Sequence, residues 1–162
     1  LPVSTAKLCM AKFVILLILA AVQMAMMTGM YFLSAAVASQ IQDYEFLLSP
    51  LSVFKLVGGL YVSAFPMLAF FWMLSVCVRT PIFSVGLGLA SIVPSVLMIN
   101  TKVWFVYPMD YPFYIITAEY GKLASNLSEV KLEMVPWIPV AAVFTGICLA
   151  AACVCFGKSE RR

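Results

Sequence analysis

The sequence predicts an all-α fold: a polytopic transmembrane bundle of four helices plus an outer interfacial amphipathic helix. Three observations carry this. The 162-residue chain is 64% hydrophobic and only 10% charged, with a mean hydropathy of +1.06. Soluble domains are about 45–50% apolar and about 25% charged, so too little polar surface exists here to clothe one. Residues 13–42, 56–78, 80–101 and 134–157 carry no charge at all, and each run exceeds the roughly 20 residues that cross a bilayer as a helix. Lastly, the runs do not alternate apolar and polar residues as barrel strands do. Lipid then demands helices, which satisfy their own backbone.

The expected spans are 13–36, 54–77, 81–101 and 136–156, all within a single domain covering residues 1–162. Residues 1–12 and 157–162 fall on one side, and the loops 40–53 and 102–135 on the other. The first side holds Lys7, Lys12, Arg79, Lys158, Arg161 and Arg162 against Glu160 alone. The second holds Lys55, Lys102, Lys122 and Lys131 against Asp43, Glu45, Asp110, Glu119, Glu129 and Glu133. Basic residues mark the cytoplasmic side, so both termini are expected there and the acidic loops outside.

Small residues recur at fourfold spacing: Ala21, Ala25 and Gly29 in the first span, Ser84 and Gly88 with Gly86 and Ala90 in the third, Ala142, Gly146 and Ala150 in the fourth. Such stripes let helices approach closely in lipid, against one another or against helices from elsewhere. Pro66 and Pro94 fall inside spans and should disturb them. On the first span Gln23, Met27, Met30 and Ser34 share a face. Pliable thioethers beside a polar group suit a path for a bulky amphipathic molecule; they also suit packing or lipid contact.

The second outer loop opens with Trp104, Phe105, Tyr107, Pro108, Tyr111, Pro112, Phe113 and Tyr114, residues that favour the headgroup level. Ile116, Tyr120, Leu123, Leu127, Val130 and Met134 then follow a helical stripe, which predicts an amphipathic helix on the outer surface.

Reactive chemistry is sparse. Histidine is absent, which removes His-based triads, His-ligated zinc and His proton relays. The five cysteines are Cys9, Cys77, Cys148, Cys153 and Cys155, and the Cys153/Cys155 pair has no acid or His ligand near it in sequence. The acids Asp43, Asp110 and Glu119 all read as loop residues, so no intramembrane acid is expected to run a proton relay. No phosphate-binding loop occurs, because Gly86 and Gly88 lie inside an apolar run without the strand–loop–helix context. Neither a catalytic residue, a metal site nor a nucleic-acid patch is expected. A chain of this kind that moves a substrate uphill draws its energy from a partner.

The opening segment Leu1-Pro2-Val3-Ser4, followed by Ala11-Lys12, resembles the Leu-Pro-Val-Ser-Arg…Ala-Lys segment that precedes the third membrane helix of ABC-2-type transporter permeases. Thr5 stands where that family has Arg. The later order is also similar: an apolar helix ending at Arg79-Thr80-Pro81, a Gly86-x-Gly88 helix, Tyr107-Pro108 and Tyr111-Pro112 outside, then a last helix and a basic tail. Lantibiotic-immunity exporters are the most similar subgroup. The resemblance implies a bacterial cell-membrane subunit that removes an antimicrobial peptide or other amphipathic substrate from the bilayer. It implies a separate ABC-type ATPase subunit carrying ATP and Mg, and a second permease subunit, the same or related. It implies six helices, so two further helices are expected before Leu1. Pro2, Val3, Ser4, Lys7, Lys12 and Arg79 become candidates for coupling to the ATPase, with Pro2 and Ser4 starting a short helix. Lys7 and Lys12 equally suit anionic headgroups. The alternative is a non-transporting four-helix assembly or sensor protein.

Overall fold

The computed structural model describes residues 4–42, 49–78, 80–123 and 137–160. Among these there is no strand. The order is α1 (Thr5–Gln42), α2 (Pro50–Ser63), α3 (Phe65–Cys77), α4 (Pro81–Met98), a 3-10 turn (Trp104–Val106), α5 (Asp110–Leu123) and α6 (Trp137–Glu160). Four segments are long and apolar enough to cross a membrane: α1, α2 together with α3, α4, and α6. The expected class is therefore the observed one.

The boundaries differ for local reasons. The first helix covers 38 residues, about 57 Å at 1.5 Å per residue, against about 30 Å of hydrocarbon. Charge marks where lipid contact should end, but it does not stop a helix. Ala6, Lys7, Leu8, Met10, Ala11 and Lys12 are all good helix formers. Residues 5–12 are thus the first two turns of α1 rather than a separate short helix. The Ser4 carbonyl accepts from the amides of Lys7 (2.9 Å) and Leu8 (3.2 Å) and opens the helix.

The second span starts at Pro50, four residues early. Ser49 caps it through the Ser52 amide at 3.4 Å, and proline suits the first turn. It is interrupted once, at Ala64. Pro66 has no amide to donate, so the chain closes one helix at Ser63 and opens the next at Phe65. Leu68 still bonds the Ala64 carbonyl at 2.9 Å, so the interruption is a single residue. Pro94 is carried inside α4, with neighbouring serines returning their hydroxyls to the helix: Ser91 to the Gly88 carbonyl and Ser95 to the Ile92 carbonyl, both 2.6 Å.

Helix α6 packs on α3 and α1. At their meeting point Phe13, Ala69 and Cys148 are buried, ringed by Leu16, Leu17, Leu68, Trp72 and Phe144. Ala69 is 0% exposed; its single methyl lets the backbones close in. Phe13 lies 6.5 Å from Trp72 and Phe70 6.2 Å from Phe144, centroid to centroid. Such ring pairs contribute about 0.5–1.5 kcal/mol each.

Helix α4 leans on α3 through one close contact. A β-carbon at Gly88 would come 3.0 Å from the Phe71 ring, whereas one at Gly86 would meet nothing within 4 Å. Gly88→Leu is therefore expected to lower stability in detergent by about 1–3 kcal/mol through overpacking, while Gly86→Leu leaves it unchanged or raised. Paired thermal unfolding of the two variants checks this. Equal midpoints would place α4 elsewhere.

Candidate functional site

The bundle has two distinct ends. At the proximal end, where α1 begins and α6 finishes, the Thr5 hydroxyl lies 3.5 Å from where a Gly157 β-carbon would sit. Lys12 extends its ammonium over the Phe156 ring, 4.7 Å from the centroid, a cation–π contact. Lys7 is exposed, as is Ser4. Pro2, Val3 and Arg79 lie outside the described residues.

Thiols gather at the same end. Cys77 neighbours Cys155, and Cys153 neighbours Cys9. The neighbours of Cys153 and Cys155 are thus thiols from α1 and α3, not acid or His ligands. Among the described residues no group of three or more His, Cys, Asp or Glu is arranged to hold a metal ion.

Helix α1 carries two opposed faces. Ala21, Ala25 and Gly29 line a crevice of about 470 Å³ against α2, together with Thr28, Phe32, Phe54, Gly58 and Tyr61. The Tyr61 hydroxyl crosses it to donate to the Leu17 carbonyl at 2.9 Å. Gln23, Met27, Met30 and Ser34 lie on the opposite side, pointing away from the other described helices, with Met27 62% and Met30 69% exposed. They share one face as expected, and none of them lines the crevice. Gly86 and Ala90 on α4, and Ala142, Gly146 and Ala150 on α6, are likewise exposed. The residues that meet neighbours instead are Gly88, Ala141, Cys148 and Ala152.

The polar residues of the spans are mostly satisfied within their own helices. Thr28 donates to Met24, Ser34 to Tyr31, Ser63 to Leu60, Ser75 to Trp72 and Thr145 to Ala141, all through backbone carbonyls at 2.7–3.0 Å. This back-bonding is what Ser and Thr do in apolar helices.

The distal end differs most from expectation. The aromatic loop folds into a cap, residues 104–123, lodged against α2, α4 and α6. Trp104 stacks on Tyr114 at 4.1 Å, and Tyr111 meets Trp137 at 5.2 Å. The Tyr111 hydroxyl donates to the Phe105 carbonyl at 2.7 Å, and the Tyr107 hydroxyl donates to the Ser91 carbonyl on α4. Gly59 admits α5 beside α2: its β-carbon position is 3.6 Å from Ile115. A helix covers the first part of the expected amphipathic segment, but α5 begins at Asp110 and packs through Tyr111, Ile115 and Ala118, leaving Ile116 of the expected stripe 37% exposed. Its predicted continuation through Leu127, Val130 and Met134 lies outside the described residues.

Asp110 corrects the sequence reading. Expected in an exposed outer loop, it is 0% exposed, and neither carboxyl oxygen has a hydrogen-bond partner. Burial pushes its pKa up to about 6 from 3.8. Burial also pushes Tyr111 up to about 12, with the neighbouring Asp110 charge adding to the rise, and Tyr107 moves up for the same two reasons. A charge between apolar runs reads as solvated; only folding the loop back onto three helices removes the water. The repeated Tyr-Pro pairs on both sides of Asp110 were the available sign that this loop turns tightly.

The chain is thus a polytopic α-helical membrane protein, of a form consistent with a transporter subunit. Comparison with known proteins adds no narrower class: no family model, no curated protein and no solved structure matches it.

The thiol pairing gives a direct check on the proximal end. Mild copper-catalysed oxidation is expected to link Cys77 to Cys155, seen as one joined peptide by mass spectrometry and lost in Cys155→Ser. Failure to link under conditions that oxidise free thiols would separate the ends of α3 and α6.

Proposed function

We propose that this chain is a membrane-spanning permease subunit of an ABC-type exporter that removes a lantibiotic-like peptide or another amphipathic substrate from the bilayer. The observation that carries the reading is the order of its parts. A Leu1-Pro2-Val3-Ser4…Ala11-Lys12 opening runs into the first span. A second span closes at Arg79-Thr80-Pro81, a Gly86-x-Gly88 helix follows, then the Tyr/Pro-rich segment, a last helix and a basic tail. Energy comes from a separate ATPase subunit with its ATP and Mg, since the sequence carries no phosphate-binding loop. A lack of buried acids is no longer a second reason, because Asp110 is buried.

The outward faces support the same reading. Gln23, Met27, Met30 and Ser34 on α1, Gly86 and Ala90 on α4, and Ala142, Gly146 and Ala150 on α6 are all left exposed by the described residues. Small stripes suit contact with further helices or a second permease subunit. The polar and thioether face suits an amphipathic peptide. The proximal Lys7 and Lys12 face the ATPase or anionic headgroups at the cytoplasmic surface.

Two measurements test this. The protein, solubilised mildly from its native membrane, is expected to bring an ATPase subunit with it, and cells should lose bound peptide only when that ATPase hydrolyses ATP. Protection that persists with a hydrolysis-dead ATPase would remove the exporter reading. For orientation, a variant retaining only Cys77, an exposed thiol, should resist a membrane-impermeant maleimide in intact cells and react in inverted vesicles. The reverse pattern would invert the topology.

A further inference from the structure

The distal cap holds a carboxyl group in surroundings that suit its neutral form and oppose its charge. Both Asp110 oxygens are inaccessible and unpartnered. An ionised carboxylate buried without partners is costly enough that such groups take up a proton instead. Among the described residues, the groups facing it offer no compensation. Tyr107 and Tyr111 are its titratable neighbours, and both hydroxyls are committed to carbonyls of Ser91 and Phe105. Helix α4 and the 3-10 turn contain no titratable residue. On α2, Lys55 is exposed and Tyr61 donates to Leu17. The ionisable residues of α6, other than Cys148 in the central packing, lie in its last two turns at the opposite end.

The ligand class follows from size and donor count. No described set of three acid, Cys or His ligands surrounds Asp110, which argues against a metal ion. Oxygens that even water does not reach leave no room for an ammonium group. A proton needs neither ligands nor space. Against the cap lies a second unsatisfied atom, the buried indole nitrogen of Trp137 on α6, so the docking is not secured by a full hydrogen-bond set.

We propose that Asp110 is a proton-binding site that holds the cap: protonated, residues 104–123 stay lodged among α2, α4 and α6, and ionised, the cap leaves that position. The linkage has a definite sign. Docking raises the carboxyl pKa from 3.8 to about 6, so the docked cap binds the proton more tightly. Docking is therefore strongest below pH 3.8 and weakens as pH rises through about 6. The docking constant falls about tenfold per pH unit across that window, roughly a hundredfold in all, and then levels off. Acidification of the face bearing the cap closes it, and neutral pH releases it. This goes beyond the exporter reading and is tested without any ATPase.

The experiment uses the protein in lipid nanodiscs with Trp72→Phe, which leaves Trp104 and Trp137, both in or against the cap, as reporters. Acrylamide quenching is expected to rise severalfold between pH 4 and pH 7. In Trp72→Phe/Asp110→Asn, which mimics the protonated acid, it should stay low throughout. Quenching that is flat with pH when Asp110 is present, or an identical transition in the Asn variant, would overturn the proposal. Infrared difference spectra of the unmutated protein give an independent reading: a protonated-carboxyl band should disappear as pH is raised through about 6. A carboxyl already ionised at pH 4 would overturn it as well.

Discussion

Lipid tails are as apolar as leucine, so burying apolar surface gives these helices little reason to meet. Shape has to hold them, and shape is supplied where α3, α6 and α1 converge on Ala69. A methyl group at that position lets Phe13, Cys148, Trp72 and Phe144 pack around it. A larger side chain would push α6 outward, and with it the thiol contacts at the proximal end. The distal cap depends on the same point, because Trp137 and Ala141, against which Tyr111 packs, stand on α6. The close approach at Ala69 thus fixes the helix that joins both ends.

Around this centre, the chain deals with its polar groups in two ways. Within the spans, serine and threonine hydroxyls return to their own backbone, so Thr28, Ser63, Ser95 and Thr145 add little that distinguishes one neighbour from another. At the distal end, Tyr107 reaches back to Ser91 on α4, and Tyr111 reaches Phe105 within the cap. The first ties the cap to α4, and Asp110 and the Trp137 indole stay unsatisfied. The cap is accordingly the place where polar conflict is concentrated.

The faces left uncovered are as specific as the packed ones. On α1 the small residues turn to α2 while Gln23, Met27, Met30 and Ser34 turn away, a division set by the 100° step between helical residues. On α6, Ala141, Cys148 and Ala152 meet neighbours while Ala142, Gly146 and Ala150 do not. Adjacent residues on a helix point about a quarter turn apart, so a stripe of small residues and a packed stripe can lie side by side on one element. A subunit that joins further helices is served by this arrangement.

Four spans, their helical nature and the opposed faces of α1 were legible in the sequence, because charge exclusion and the 3.6-residue period act locally and need no partner. Pro66 announced the interruption at Ala64 for the same reason: a missing amide is a property of one residue. Which small residues pack was not legible. Gly86 and Gly88 are alike in composition and spacing, and only the Phe71 ring distinguishes them. The thiol pairs, Cys9 with Cys153 and Cys77 with Cys155, join positions far apart in the chain that only helix packing brings together. Asp110 shows the same limit most sharply. The sequence determined that an acid lies between two apolar runs, flanked by tyrosines and prolines. Whether that acid meets water or is sealed from it was decided by the tertiary structure alone, since solvation belongs to the surroundings of a group and those surroundings come from α2, α4 and α6.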